Sequence, residues 1–545
     1  MAVISCNMSV SYDYIIVGGG SAACVAAWRL TRDTKASVLL LERGPARPDF
    51  LMSKLLSMPA GWMKGISGSP VVEMYQPIPQ KHLNGRAPAV GQANILGGGT
   101  AVNAMVYTRG QAEDYDHWDK FLGAGSGWAY KDVLPHFKAL ESNQHVHNEW
   151  HGSDGPLYVS NTARQCQITK DYVNAVQALG IPYNADFNGA TQRGVGTMQY
   201  TTFHKRRYDG IEAFLKPALE TGRLTIRTGC TVSKLMIQNG ICKGVDFVKG
   251  SEDFSAFADA EVLLAAGCYN TPKILMLSGV GPAKYLREMG ISVKHDMPGV
   301  GENLQDHHEV PVVAATNGHY GYYGEDKGLR AIWNGLQYLL AKTGPVTSTG
   351  VEAAAYIDPD GSDRPTIKMY CVPSVYLDGD IKNVKSQDGV TLNACLLRPK
   401  SRGTVRMRST SPFDKPIIDN NYLAEVDDLR MEIAGLRFAR EILKSNPIAS
   451  RISHEILPGK DATSDADLAA HCRRTVKTNW HPVGTCRMGP DDDPDAVLDN
   501  HIKVRGVKNL RVIDASAMPF IPSGNTNAPT MMLADRAMSF LIDGD

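Results

Sequence analysis

Tyr12-Asp-Tyr-Ile-Ile-Val17, running directly into Gly18-Gly-Gly20-Ser21-Ala22-Ala23, is the stretch that decides the fold of this chain. Its first six residues are a short, β-branched, apolar run of the kind that forms a buried parallel strand. From Ala22 to about Arg32, small and apolar residues fall on one side of a helix. Ser37-Val-Leu-Leu-Leu41 then supplies a second buried strand that ends at Glu42. Strand, glycine turn, helix, strand, acidic residue is the order of a dinucleotide-binding βαβ unit. Gly18 permits the tight turn, and Gly20 lets backbone approach a pyrophosphate at the helix N-terminus. Ala23 stands at the third glycine position, where a small residue lets helix and strand pack. Glu42 lies where a carboxylate accepts hydrogen bonds from ribose hydroxyls. The bland alternative is a glycine turn with no ligand, and the pattern alone does not separate NAD from FAD.

Around this unit the chain has 545 residues, too many for one compact core, so two domains are expected. Lys+Arg and Asp+Glu both number 57, which advertises no polyanion, and no nucleic-acid partner is expected. No run is apolar for the roughly 18 residues that a membrane span needs. The segment Met1 to Tyr12 lacks the basic and apolar regions of a signal peptide. Ten cysteines stand singly, which reads as free thiols in a reducing compartment. The expected location is cytoplasmic, with peripheral membrane association left open. No His/Cys/Asp grouping has metal-ligand spacing, so no metal is expected.

Several further stretches carry a resemblance. They are Gly91-Gln-Ala-Asn-Ile-Leu-Gly97-Gly98-Gly-Thr100-Ala-Val-Asn103-Ala104-Met-Val106-Tyr107-Thr-Arg109-Gly110 and Gly267-Cys-Tyr-Asn-Thr271-Pro272 through Gly281. Pro298 to His307, Trp480-His481-Pro-Val-Gly-Thr485, Asn509 to Ser516 and Asn525-Thr526-Asn527-Ala-Pro529-Thr530 complete the set. In this order and spacing, from about Tyr12 to Ala537, the chain resembles the glucose-methanol-choline (GMC) oxidoreductases, and most closely bacterial alcohol and choline dehydrogenases among them.

The resemblance implies an α/β protein, α+β as a whole, with a Rossmann-like FAD-binding domain and a second, substrate-binding domain built on an antiparallel sheet. The FAD domain would take 10–155, 226–310 and 470–545. The substrate domain would take 156–225 and 311–469, with 50–80 as a lid. Thr366 to Tyr370 and Thr404 to Arg408 alternate like half-exposed strands of that second domain. Implied flavin contacts are Gly18, Gly20, Ser21, Ala22 and Glu42, then Gly97, Gly98, Thr100, Asn103, Ala104 and Val106. Val232, Asp514, Ala515, Asn525, Thr526 and Asn527 complete the implied set. Val102 occupies the position where some members carry a flavin-linking histidine, and valine cannot form that bond, so FAD is expected to be non-covalent.

The implied reaction is oxidation of an alcohol to an aldehyde or ketone by hydride transfer to flavin N5. His481 is the expected base, because imidazole titrates near working pH. Asn525, 44 residues later, stands where the family places its second active-site residue. An amide orients a hydroxyl but cannot take up its proton. Trp480 and His481 are expected at the substrate. Glu309 stands where choline-oxidising members hold a quaternary ammonium, with Trp62, Tyr320, Tyr322 and Tyr323 available for cation–π contact; an ion-paired surface glutamate is the alternative. His307 and His308 read as structural or supporting. The partner is a small-molecule alcohol, and the electron acceptor (oxygen, quinone or another) stays open. Two other readings remain: a cyanohydrin lyase of the same family that keeps flavin without redox chemistry, and a non-catalytic flavin-binding protein. Three departures from the family pattern stand out: Cys268-Tyr269 after Gly267, Glu212 where a cation is usual, and Arg43 between Glu42 and Gly44.

Overall fold

The protein is described by a computed structural model over residues 10–66, 69–362 and 364–544. The leader reading of the first residues and Cys6 lie outside the described residues, as do residues 67 and 68 of the expected lid.

The opening stretch forms strand Val10–Val17, helix Ser21–Asp33 and strand Val38–Glu42. Val10–Val17 pairs in parallel with Val38–Glu42 on one side and Glu252–Leu264 on the other. Leu224–Thr228 extends the sheet beyond Val38–Glu42, and Leu510–Val512 joins Glu252–Leu264, both in parallel. An antiparallel meander, Cys230–Gln238, Ile241–Lys249 and Glu252–Leu264, completes this mixed sheet. Ile15, Ile16, Val38, Leu39, Leu40 and Leu263 have no exposed surface, which explains why these strands read as continuous apolar runs. Burying each such side chain contributes roughly 1.5–3 kcal/mol. Ala22, Ala23, Ala26 and Ala27 let helix Ser21–Asp33 lie close to the sheet and to helix Asn527–Ile542.

A second sheet is wholly antiparallel. Its order is Ile452–Leu457, His308–Thr316, Gly389–Leu396, Ile367–Val372, Ala353–Ile357, Gly194–Thr197, with Lys477–Thr478 added to His308–Thr316. Helix Val426–Lys444 covers one face of it, and Gly435 comes so close to Ala394 that a Cβ would sit 2.7 Å from its methyl group.

Here one expectation is corrected. Ile367–Val372 is buried along its whole length, not half-exposed. The alternation is real, but the face marked by Lys368, Tyr370 and Val372 turns to an internal cavity instead of solvent, while Thr366, just before the strand, stays half-exposed. Thr404–Arg406 is half-exposed, as its pattern predicts, but belongs to a separate ribbon with Ile417–Asp419. The described cysteines are free and buried, and no helix of the described residues is long and apolar enough to cross a membrane.

Candidate active site

One cavity runs between the two sheets, and its walls include both the glycine turn and the His481–Asn525 pair. At the turn, Gly18 has φ +97° and a Cβ there would meet the Ala265 carbonyl oxygen at 2.5 Å. Gly98, with φ +51°, lies against Gly20, so a Cβ would stand 2.5 Å from its Cα. Two glycine loops therefore stack backbone on backbone. Neither helix Ser21–Asp33 nor helix Asn527–Ile542 has a side-chain cap at its N-terminus, and both N-termini line the cavity. Ser21 Oγ donates to Asn527 Oδ1 at 2.8 Å and ties the two together. Uncapped first-turn amides of two helices make a cradle for a diphosphate. Glu42 is buried and accepts from the backbone N–H of Gly19 at 2.7 Å and of Gly44 at 2.6 Å. Burial holds its carboxyl above the ordinary range against those two bonds. These features fit a dinucleotide cofactor.

Of the remaining residues implied for the flavin, Ala22, Asn103, Ala104, Val106, Val232, Asp514, Ala515 and Thr526 also line the cavity, as does Val102. Gly97 and Thr100 do not. Thr100 Oγ donates to the Gly97 carbonyl and accepts from the Gly210 N–H, so it holds the loop from behind. Asp514 accepts from Gly267 N–H, Thr271 Oγ and Ser516, which pins the ends of two parallel strands to the cavity floor. Arg207, buried, donates to the carbonyls of Leu56, Thr100 and Asn103.

The three departures are accommodated. Tyr269 turns away into a cluster with Tyr75, Val90 and Leu304, and the Cys268 thiol faces the Pro482 carbonyl. Glu212 pairs with Lys216. Arg43 pairs with Glu73 and donates to Asn94 Oδ1 at 3.0 Å.

His481 is placed by strain and by one carboxylate. Trp480 sits in the left-handed region (φ +65°), a costly conformation for a bulky residue. Its N–H is held by Thr478 Oγ at 2.7 Å, and the next N–H, of His481, by Asp306 Oδ1 at 2.9 Å. Asp306 also accepts from Thr478 Oγ and Tyr422 Oη, so it locks the approach to the histidine. The Trp480 ring fills the space beside Gly91, where a Cβ would be 2.5 Å from it.

The tautomer of His481 follows from its neighbours. His307 Nε2 lies 3.0 Å from the Leu397 carbonyl, which only accepts, so Nε2 carries hydrogen. Burial, ahead of the nearby Lys368, His308 and Arg398 charges, pulls the His307 pKa down to about 3, so the ring is neutral and Nδ1 holds a lone pair. That lone pair accepts from His481 Nδ1–H at 3.0 Å. His481 is held well below the usual histidine value by burial, then by His307 and Lys368. Its Nε2 therefore presents a lone pair, 3.1 Å from Asn525 Nδ2. The Asn525 amide is oriented in turn by Lys368, whose Nζ can only donate and stands 2.8 Å from Oδ1.

Glu309 reaches the cavity wall but is neither at the surface nor free. It is 1% exposed, pairs with Lys477 at 3.3 Å and accepts from Tyr370 Oη. Register puts Lys477 opposite Glu309, Glu309 opposite Cys395, Cys395 opposite Lys368 and Lys368 opposite Tyr356, one row across four neighbouring strands and the added segment. Of the aromatic residues considered for a cation, Trp62 lines the cavity, donating Nε1–H to the Thr349 carbonyl at 2.7 Å. Tyr320, Tyr322 and Tyr323 do not line it. His308 points away from His307, to Glu432 at 2.7 Å beneath helix Val426–Lys444; burial opposes its charge but Asp428 and Glu432 outweigh it, raising its pKa to about 9. Lys368 and Asp306 are residues that the sequence reading missed. A lysine in an alternating strand was the available signal for the first, and the Gln305-Asp306-His307 segment for the second.

The sequence pattern of the GMC oxidoreductases matches residues 12–309 and 399–534. The chain is 38% identical over 539 residues to an alcohol dehydrogenase [acceptor] of Pseudomonas putida, covering 97% of this chain and 96% of that protein. It is 36% identical to an oxygen-dependent choline dehydrogenase of Rhizobium etli, covering 97% and 95%. Among solved structures, pyridoxine 4-oxidase from Mesorbium loti superposes with a TM-score of 0.87 at 28% identity, covering 96% of this chain and 98% of that one.

Proposed function

The chain belongs to the GMC oxidoreductase family, FAD-dependent enzymes acting on CH–OH groups, and from that premise we propose that it oxidises an alcohol to an aldehyde or ketone with His481 as base and Asn525 as hydroxyl-positioning residue. The observation that carries this assignment is the hydrogen-bond chain Leu397–His307–His481–Asn525, which makes His481 Nε2 an acceptor at the cavity wall, met by the Asn525 amide at 3.1 Å, a contact that an alcohol hydroxyl would replace. FAD, held along Gly18, Gly20, Ser21 and Asn103, would supply the two-electron acceptor for the hydrogen on the carbinol carbon. The hydroxyl proton passes to His481 Nε2, and the imidazolium so formed keeps a charge-assisted bond from Nδ1–H to His307. Asn525 Nδ2–H donates to the alcohol oxygen while Lys368 holds its carbonyl, so the oxygen is fixed between donor and base. Proton removal by a well-placed base contributes roughly 10²–10⁴-fold.

Gly18, Gly20, Ser21, Ala22, Glu42 and Asn527 are assigned to the dinucleotide, and Asn103 to Val106 to the face near the reacting centre. Val102 offers no nucleophile, so the flavin is held without a covalent bond, and acid precipitation should release it into the supernatant. The FAD domain is proposed to comprise 10–155, 226–310 and 470–545. The substrate domain comprises 156–225 and 311–469, and 50–80 form a lid through Trp62, Met63 and Ile66. The test is anaerobic addition of a panel of alcohols to the oxidised holoenzyme. Oxidation bleaches the visible flavin band, whereas a lyase leaves it intact.

Peripheral attachment to a membrane is assigned to helix Gly328–Ala341. Its Leu329 and Leu340 are each 85% exposed, and Ile332, Trp333, Leu336 and Leu339 share their face. Tyr338 and Asn334 anchor the opposite side. Lys327 stands exposed at the start of the helix, while Lys64 and Arg330 nearby pair with Asp326 and Glu325, so the attachment rests on the apolar face more than on charge.

A further inference from the structure

Lys368 has no role in the mechanism beyond holding an amide, yet it occupies the wall of the reacting centre. It is 3% exposed, a burial that lysine rarely adopts unless paired with an anion. Its single side-chain hydrogen bond among the described residues goes to a neutral acceptor, Asn525 Oδ1. The rings of Tyr356 and Tyr370 lie 5.9 and 5.7 Å from Nζ and supply cation–π attraction without neutralising its charge. The carboxylate whose charge acts on Lys368 is that of Glu309, and it is already engaged by Lys477 and Tyr370. His307, His481 and Cys395 complete the titratable groups that feel this charge, and none is an anion in the neutral range: both imidazoles are depressed and the buried thiol is raised. A buried ammonium with two donors unfilled and an open cavity in front is an incomplete ion pair.

We propose that Lys368 is the anion subsite of this active site, and that the substrates it favours are short alcohols bearing a carboxylate. The proposal rests on the alcohol-oxidation reading and names its substrate class. The reach is set by the geometry: Nζ and His481 Nε2 are at most about 8 Å apart, two hydrogen bonds and the width of one amide. A carboxylate on Lys368 and a hydroxyl on His481 thus belong to one small molecule with a few carbons between them. The same ammonium repels a quaternary ammonium, and Glu309, neutralised by Lys477, offers no compensating attraction.

The test uses the oxidised holoenzyme with three alcohols of similar length and different charge: 4-hydroxybutanoate, 1-pentanol and choline. Expected kcat/KM falls in that order. Lys368→Met should lower the ratio of 4-hydroxybutanoate to 1-pentanol at least ~10-fold, the size of a lost charge-assisted hydrogen bond, and Lys368→Arg should keep most of it. Butanoate, which cannot be oxidised at a hydroxyl, should bind the wild type by calorimetry and bind Lys368→Met at least ~10-fold more weakly. Should Lys368→Met not fold, the wild type still decides the matter. Burial brings the lysine pKa down to about 8, so the anion preference and butanoate affinity should be present below that pH and fade above it. An unchanged ratio in flavin-loaded Lys368→Met, a ratio flat across pH 7 to 9 in the wild type, or choline as the best of the three overturns the subsite. If no alcohol bleaches the flavin, the oxidation reading fails instead, and butanoate binding judges the subsite alone.

Discussion

Replacing His307 tests how the base is kept in its working tautomer. In the wild type the Leu397 carbonyl forces hydrogen onto His307 Nε2, and His307 Nδ1 then accepts from His481 at 3.0 Å. His307→Leu leaves the His481 Nδ1–H buried without an acceptor. The ring can then exchange tautomers and place its hydrogen on Nε2, where it no longer acts as a base. The lost bond is charge-assisted once His481 has taken the proton, so about 1.5–3 kcal/mol of transition-state stabilisation disappears. That corresponds to a fall of roughly 10- to 150-fold in the rate of flavin reduction. His307→Gln is the informative partner variant, because its amide can donate to Leu397 and accept from His481 in the same sense as the imidazole. Single-turnover reduction at saturating alcohol, with flavin content measured for each variant, is the assay. His307→Leu should be slow and His307→Gln should recover most of the rate. Equal rates in wild type and His307→Leu, or equal losses in both variants, would refute the tautomer argument.

Further outcomes follow from the same geometry. Because burial, His307 and Lys368 hold His481 well below the usual histidine range, kcat/KM for a neutral alcohol should stay level as pH falls through 6.5, since the base becomes protonated only at lower pH; an acid limb centred near 6.5 would count against it. Gly98→Ala, at φ +51° with its Cβ 2.5 Å from Gly20 Cα, should cost roughly 1–3 kcal/mol and lower the flavin-to-protein ratio of purified enzyme, and full loading would show that the two loops are not a cradle. Leu329→Glu with Leu340→Glu should abolish co-sedimentation with phosphatidylserine-containing vesicles while flavin content stays unchanged; undiminished sedimentation, or none in the wild type, removes the helix from that role.

What the sequence conveyed, and what it hid, divides along physical lines. The βαβ unit was legible because buried parallel strands and a glycine turn leave local patterns within about 30 residues. Its elements begin and end within a few residues of where the pattern puts them. Lys368 was not legible. Period-two alternation says that Thr366, Lys368 and Tyr370 share a face, but not whether water or a cavity lies over it. His307 and His308 could not be told apart by composition. Neighbours in an extended chain point to opposite faces, and only the assembled sheet shows one meeting His481 and the other Glu432. Glu309 was placed by resemblance alone, and its neutralisation by Lys477 depends on a register between strands 168 residues apart.

The most direct measurement is single-turnover mixing of an oxidised, flavin-loaded enzyme with alcohol in the absence of oxygen, for the wild type and for His481→Ala. The account predicts rapid bleaching of the visible flavin band in the wild type, and a rate lower by roughly 10²–10⁴-fold in His481→Ala at equal flavin content. Comparable bleaching by both proteins would contradict the assignment of His481 as the base.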